Sequence, residues 1–177
     1  MTQKPAWTIE NFLEVKNGHL SVGGADAVEL AEKFETPLFV FSESRIRHNI
    51  DRLKRAENTL GLPLKICYAA KANSNMAILR TVKECGISLE TNSGGELFKA
   101  LKIGFPAEDI ILNGTSKSED EIAQAIDAGI YAIQADSLFE VELIEAVAQK
   151  LDKKANISLR LVPEIRRIPC TACRRRC

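Results

Sequence analysis

The chain has 177 residues, 45% hydrophobic and 27% charged, which suits one modest soluble domain with a real core. Its 24 basic and 24 acidic side chains cancel, yet Arg166, Arg167, Arg174, Arg175 and Arg176 crowd the last twelve residues; without these five, residues 1–165 hold 19 bases against 24 acids, a net of −5. An acidic body argues against a nucleic-acid partner, no apolar run approaches a membrane span, and "MTQKPAWTIE" lacks a charged-then-apolar signal segment, so a cytoplasmic chain is expected.

In chain order, "FLEVKNGHLSVGG" predicts two short strands around Asn17-Gly18, a strong hairpin signal. "PLFVFSES" reads as a further strand, followed by a helix from about Ser44 to Leu60. From Leu64 a repeat sets in. "LKICYAA" is a strand, and "NMAILRTVKEC" carries Met76, Ile78, Leu79 and Val82 at helical spacing. "ISLET" is the next strand, and "GGELFKALKIG" a helix closed by Gly104. "DIILN" precedes "SEDEIAQAIDAG", where Ser118 and Glu121 form a capping-box pattern. "IYAIQA", "SLFEVELIEAVAQKL" and "NISLRLV" complete strand four, the last helix and strand five. Such alternation with short connections predicts a parallel sheet with crossover helices, and both a doubly wound sheet and a (β/α)8 barrel fit. Five strands cannot close an eight-stranded barrel.

Beyond Ile165 the period is lost. Cys170, Cys173 and Cys177 place three thiols close together, but no fourth zinc ligand stands nearby, so no metal site is expected. Cys67 and Cys85 read as buried thiols, and nothing resembles a disulfide framework. The expected organisation is a set of strands over 1–42 that precede the barrel, a partial barrel over 43–165, and a disordered tail over 166–177 that is foreign to the rest of the chain.

The stretch "CYAAKANSN" drives a strand into Lys71. In parallel α/β proteins ligands sit at the carboxyl ends of the strands. An amine at the rim of an apolar interior is desolvated, which favours the neutral form, a nucleophile able to form an imine with an aldehyde. Ala69, Ala70 and Ala72 leave room for a flat ring. The plainer alternative is a lysine that points its ammonium into water.

Tyr68-Ala69-Ala70-Lys71-Ala72-Asn73-Ser74-Asn75, Ser93-Gly94-Gly95-Glu96-Leu97 and the opening "NGHLSVGGADAVELAEKFETPLFVFSES" together resemble the alanine-racemase-like, fold-type III pyridoxal-phosphate decarboxylases. Within that group the pattern is most similar to the diaminopimelate branch, over about residues 11–165. The resemblance implies a (β/α)8 barrel of which about five strands are present. It implies pyridoxal 5'-phosphate as cofactor, carried by Lys71, with Ala69, Glu90 and Arg160 beside it. Glu90 stands where the family commonly has Asp. The implied reaction is decarboxylation of meso-diaminopimelate to L-lysine, with a small-molecule amino-acid substrate and a homodimer for the full-length parent. Decarboxylation of another basic amino acid or polyamine precursor, and a non-catalytic truncated remnant, stand as alternatives.

Ser93-Gly94-Gly95-Glu96 reads either as an anion-attracting helix start or as a tight turn that caps a helix. Asn113, Gly114 and Lys117 follow the third strand and can line the mouth; loop solvation is the expected role of Lys117. His19 and His48 do not replace the family's ring-stacking histidine.

Overall fold

The structure is a computed structural model that describes residues 8–9 and 11–161. The tail expected over 166–177, with its three cysteines, lies outside the described residues, as does Val162, the end of the expected fifth strand.

The hairpin forms as the sequence predicts. β1 (Leu13–Lys16) and β2 (His19–Val22) pair antiparallel from Leu13 with Val22 to Lys16 with His19. Asn17 and Gly18 turn with φ 53° and 82°, the double positive φ that a two-residue hairpin loop requires. Two elements join it that periodicity alone did not announce. β3 (Ala25–Asp26) adds to β2, and α1 (Ala27–Phe34) follows at once. The signal for α1 was Asp26 ahead of "AVELAEKF": its Oδ1 accepts the N–H of Val28 at 2.8 Å and of Glu29 at 3.3 Å, a side-chain N-cap.

The strand expected at Pro37–Phe41 is absent. Strands need a ladder partner, and the described sheets pair β1-β2-β3 and the five later strands only. Leu38, Phe39, Val40 and Phe41 are left exposed, Phe39 to 86%. Ser42 then caps α2 (Glu43–Leu60), and Gly61 closes it in the left-handed conformation.

The repeat is observed as read. β4 (Cys67–Ala69), β5 (Ser88–Thr91), β6 (Ile110–Leu112), β7 (Ala132–Ala135) and β8 (Ile157–Leu159) form one parallel sheet in sequence order. Between them lie α3 (Met76–Glu84), α4 (Gly94–Ile103), α5 (Glu119–Ala128) and α6 (Leu138–Lys150). A doubly wound sheet reverses its strand order at a switch point; this one never does, which is the arrangement of a barrel arc.

Register divides the side chains between two faces. Leu89, Ile110, Leu112 and Ile133 share the face that packs on the helices, in one core with Leu79, Val82, Leu97, Ile122, Ile144 and Val147. Cys67, Ala69, Ser88, Glu90, Ile111, Ala132, Gln134 and Ser158 share the other, inner face. Cys67 and Cys85, expected to be buried, are only half-buried free thiols. Among the described residues no helix is long and apolar enough to cross a membrane.

Candidate active site

β4 ends at Ala69, and the backbone tightens into a 3-10 turn, Ala70–Ala72, that carries Lys71. Small residues permit this tightening, and polar ones hold it. The Tyr68 hydroxyl donates to the Asn73 carbonyl at 3.2 Å, and Asn73 Oδ1 accepts the Asn75 N–H at 3.0 Å. Asn75 in turn caps α3 by accepting the Ala77 N–H at 2.9 Å, and Lys99 Nζ donates to Ser74 Oγ at 2.9 Å. The run "AKANSN" after the strand is thus a braced platform for its one lysine.

Lys71 itself is solvent-exposed and has no hydrogen-bond or ion-pair partner among the described residues. The expected desolvated amine is not what these residues provide. Five strands give the inner face no opposite wall, so nothing described covers the turn.

Ala69 lies opposite Glu90 in the ladder, so both share the inner face at the strand ends. Asn113 Nδ2 donates to Glu90 Oε1 at 2.5 Å. Gln134 pairs with Ser158, and Arg160, two residues on, alternates onto the same face. Its side chain is exposed, and its N–H donates to the Ala135 carbonyl at 2.8 Å. The fold therefore aligns Ala69, Glu90 and Arg160 along one face, with Ala69 and Glu90 beside the turn of Lys71 and Arg160 at the opposite edge of the sheet. His48 lies on α2 and His19 pairs with Asp26 in the leading segment; neither hydrogen bonds to these groups.

Lys117 overturns the expectation of a solvated loop lysine. It is 7% exposed, and its Nζ contacts Glu140 Oε2 at 2.9 Å and donates to the carbonyls of Gly114 and Gln134, each at 2.7 Å. Burial alone pushes the Glu140 carboxyl up; the Lys117 ammonium and the N–H groups of Asp136 and Lys117 outweigh it and hold the carboxyl below its usual range. Glu140 also stands in Ser137-x-x-Glu140, a helix-start pattern that recurs at Ser93-x-x-Glu96 and Ser118-x-x-Glu121, but nothing in that pattern points to Lys117.

The α4 start is not an open anion site. Ser93 Oγ caps the Glu96 N–H, and the Gly94 N–H donates to Glu121 Oε1 at 2.6 Å. A carboxylate already occupies the positive end of that helix. Asn92, which the sequence did not single out, holds a buried Nδ2 with no hydrogen-bond partner among the described residues.

Residues 46–174 match the model of the pyridoxal-dependent decarboxylases, pyridoxal binding domain. The chain belongs to this family. The match runs past Ile165 to residue 174, into the stretch expected to lie outside the family pattern. Among curated relatives, the diaminopimelate decarboxylase of Methanocaldococcus jannaschii is 40% identical over 157 residues, covering 86% of this chain and 36% of the relative. That of Bacillus subtilis is 38% identical over 150 residues, covering 85% and 34%. A crystal structure of the M. jannaschii enzyme superposes with TM-score 0.80 at 39% identity over 88% of this chain and 37% of that one. The chain spans about a third of the length of the relatives it matches. The parallel sheet is accordingly an arc of their barrel.

The family's cofactor is pyridoxal phosphate. The residues present fit its aldehyde end: a free primary amine stands at a strand end, with small side chains beneath it. Their chemistry does not supply its phosphate site at α4, where Glu121 already sits.

Proposed function

We propose that this chain is the cofactor-lysine portion of an enzyme that decarboxylates meso-diaminopimelate to L-lysine and carbon dioxide. The observation that carries the reading is identity of 36–40% to diaminopimelate decarboxylases across about 85% of the chain. When bound, pyridoxal phosphate supplies the electron sink for the carbon that loses its carboxylate.

The chain's own residues divide the remaining work. Lys71 offers the amine that holds the cofactor's aldehyde carbon, and its braced turn keeps that amine at the strand ends. Ala69 leaves space on the inner face. Glu90 presents a carboxylate beside it, and Arg160 a guanidinium farther along the same face. The division at residues 42 and 43 belongs to the same proposal, since the three-stranded sheet and α1 precede α2 and share no strand with the arc. So do a barrel completed by the rest of a longer protein, its homodimeric state and its place in the cytoplasm.

A second reading, a non-catalytic remnant, rests on the exposure of Lys71. Catalysis by positioning contributes about 7–11 kcal/mol when groups are well oriented, and an amine on an open face keeps little of that. Two measurements on the 1–177 chain separate the readings. Borohydride reduction in the presence of pyridoxal phosphate, followed by peptide mass mapping, places the pyridoxyl mass on the Lys71 peptide; a label spread evenly over the lysines refutes the assignment. Carbon dioxide release from diaminopimelate is expected no faster than with free cofactor. A faster rate that vanishes in Lys71→Ala makes the arc an enzyme in its own right.

A further inference from the structure

The loop after β6 is fixed more firmly than a surface loop needs to be. Lys117 is a buried post whose Nζ grips the Gly114 carbonyl, the Gln134 carbonyl and Glu140. Gly114 sits at φ 103°, and a Cβ there would lie 2.6 Å from the Asn92 backbone oxygen, so the loop presses on the end of β5. The Asn113 N–H donates to the Thr91 carbonyl at 2.7 Å. Backbone is therefore pinned on both sides of the Asn113 side chain, and that side chain spends its amide on Glu90 at 2.5 Å.

A glutamate has three side-chain torsions, and at a strand end on an open face they are free to vary. We propose that Asn113 is a positioning residue that holds the Glu90 carboxylate in one orientation at the cofactor face, with Lys117 as the buried anchor of the loop that carries it. The inference rests on the placing of Lys71 and Glu90 at the cofactor site. It adds that the site's geometry is set from the loop after β6, by a residue that need not touch the cofactor.

The test uses the 1–177 chain with limiting pyridoxal phosphate, borohydride trapping and mass mapping, and reads the share of pyridoxyl label on Lys71. Asn113→Ala is expected to lower that share about tenfold, the scale of a lost hydrogen bond to a charged group, in a chain that circular dichroism shows still folded. Asn113→Asp removes the donor and adds a like charge, and lowers the share at least as far. Glu90→Ala lowers it too, and Asn113→Ala in that background lowers it no further, because Asn113 acts through Glu90. An equal loss in both backgrounds, or no loss in either while Lys71 stays preferentially labelled, overturns the inference and leaves the functional reading standing. No preference for Lys71 in the unaltered chain overturns the functional reading and the inference with it.

Discussion

Replacing Lys117 by methionine tests the anchor directly. The two side chains of the Lys117–Glu140 pair are 3% and 5% exposed, and the nitrogen and oxygen are 2.9 Å apart. Methionine fills much of the lysine's volume but donates nothing. It leaves the Glu140 carboxylate buried with the Asp136 N–H at 3.0 Å, and strips a donor from the carbonyls of Gly114 and Gln134. Breaking a buried pair from one side costs about 3–5 kcal/mol. A domain of this size has about 5–15 kcal/mol in total, so the urea midpoint should fall steeply at pH 7. The Glu140 carboxyl is held low in the folded chain, so its stabilisation is present above the usual carboxyl range and lost as pH falls through the folded value. Without the ammonium, burial dominates and the carboxyl takes up a proton at higher pH than before. The deficit of Lys117→Met should therefore be largest at neutral pH and shrink as the solution is acidified. Lys117→Met with Glu140→Leu removes the orphaned charge and should recover most of the loss. Urea titrations followed by circular dichroism from pH 7 to pH 4 decide the matter. A loss below about 1 kcal/mol, or a double variant worse than the single, refutes a buried, coupled pair.

Gly114→Ala meets the Asn92 backbone oxygen at 2.6 Å and should cost clearly more than Gly129→Ala, a helix-end glycine with nothing within 4 Å; both are read from urea midpoints, with about 1 kcal/mol expected for Gly129. Glu121 accepts the N–H groups of Ser118 and Gly94, which hold its carboxyl below the usual range. Glu121→Gln should thus cost about 1 kcal/mol at pH 7 and progressively less as pH falls through that lowered value. Leu89→Ala, at a fully buried position under the helices, should cost about 2–5 kcal/mol at every pH, which calorimetry or urea titration checks. Lys71→Arg should leave stability unchanged and abolish the trapped pyridoxyl label, because a guanidinium stays protonated and is a poor nucleophile.

What could be read from the sequence were the features whose cause is local. Helical spacing of Ile78, Leu79 and Val82, the Asn17-Gly18 turn and the Ser118-x-x-Glu121 box each settle a few neighbouring residues, and each appears as read. The run at Pro37–Phe41 has strand composition, but composition does not supply a ladder partner, and none stands beside it among the described residues. Lys117 sits in "GTSKSED", which reads like any polar loop. Its burial is decided by Glu140, on the next helix, and by a β7 carbonyl, neither of them a sequence neighbour. The site shows the same division. That Lys71 stands in a turn at a strand end was legible from one short motif. That Asn113 reaches Glu90 depends on two strand ends meeting, and the exposure of Lys71 depends on walls that these residues do not build.

The strand order β4-β5-β6-β7-β8 has a further consequence, for how the chain reaches its structure in time. Tyr68 pairs with Leu89, Leu89 with Ile110 and Leu112 with Ile133, a step of 21 residues each time, and Ile133 pairs with Ile157 after 24. Loop closure costs grow slowly with length, so every addition to the sheet meets nearly the same entropic toll. None has to wait for a distant segment. Each new strand and its helix can dock as soon as they leave the ribosome, onto an edge formed by the unit before. Such a topology allows the sheet to grow by accretion from its amino-terminal side, each edge serving as the template for the next strand.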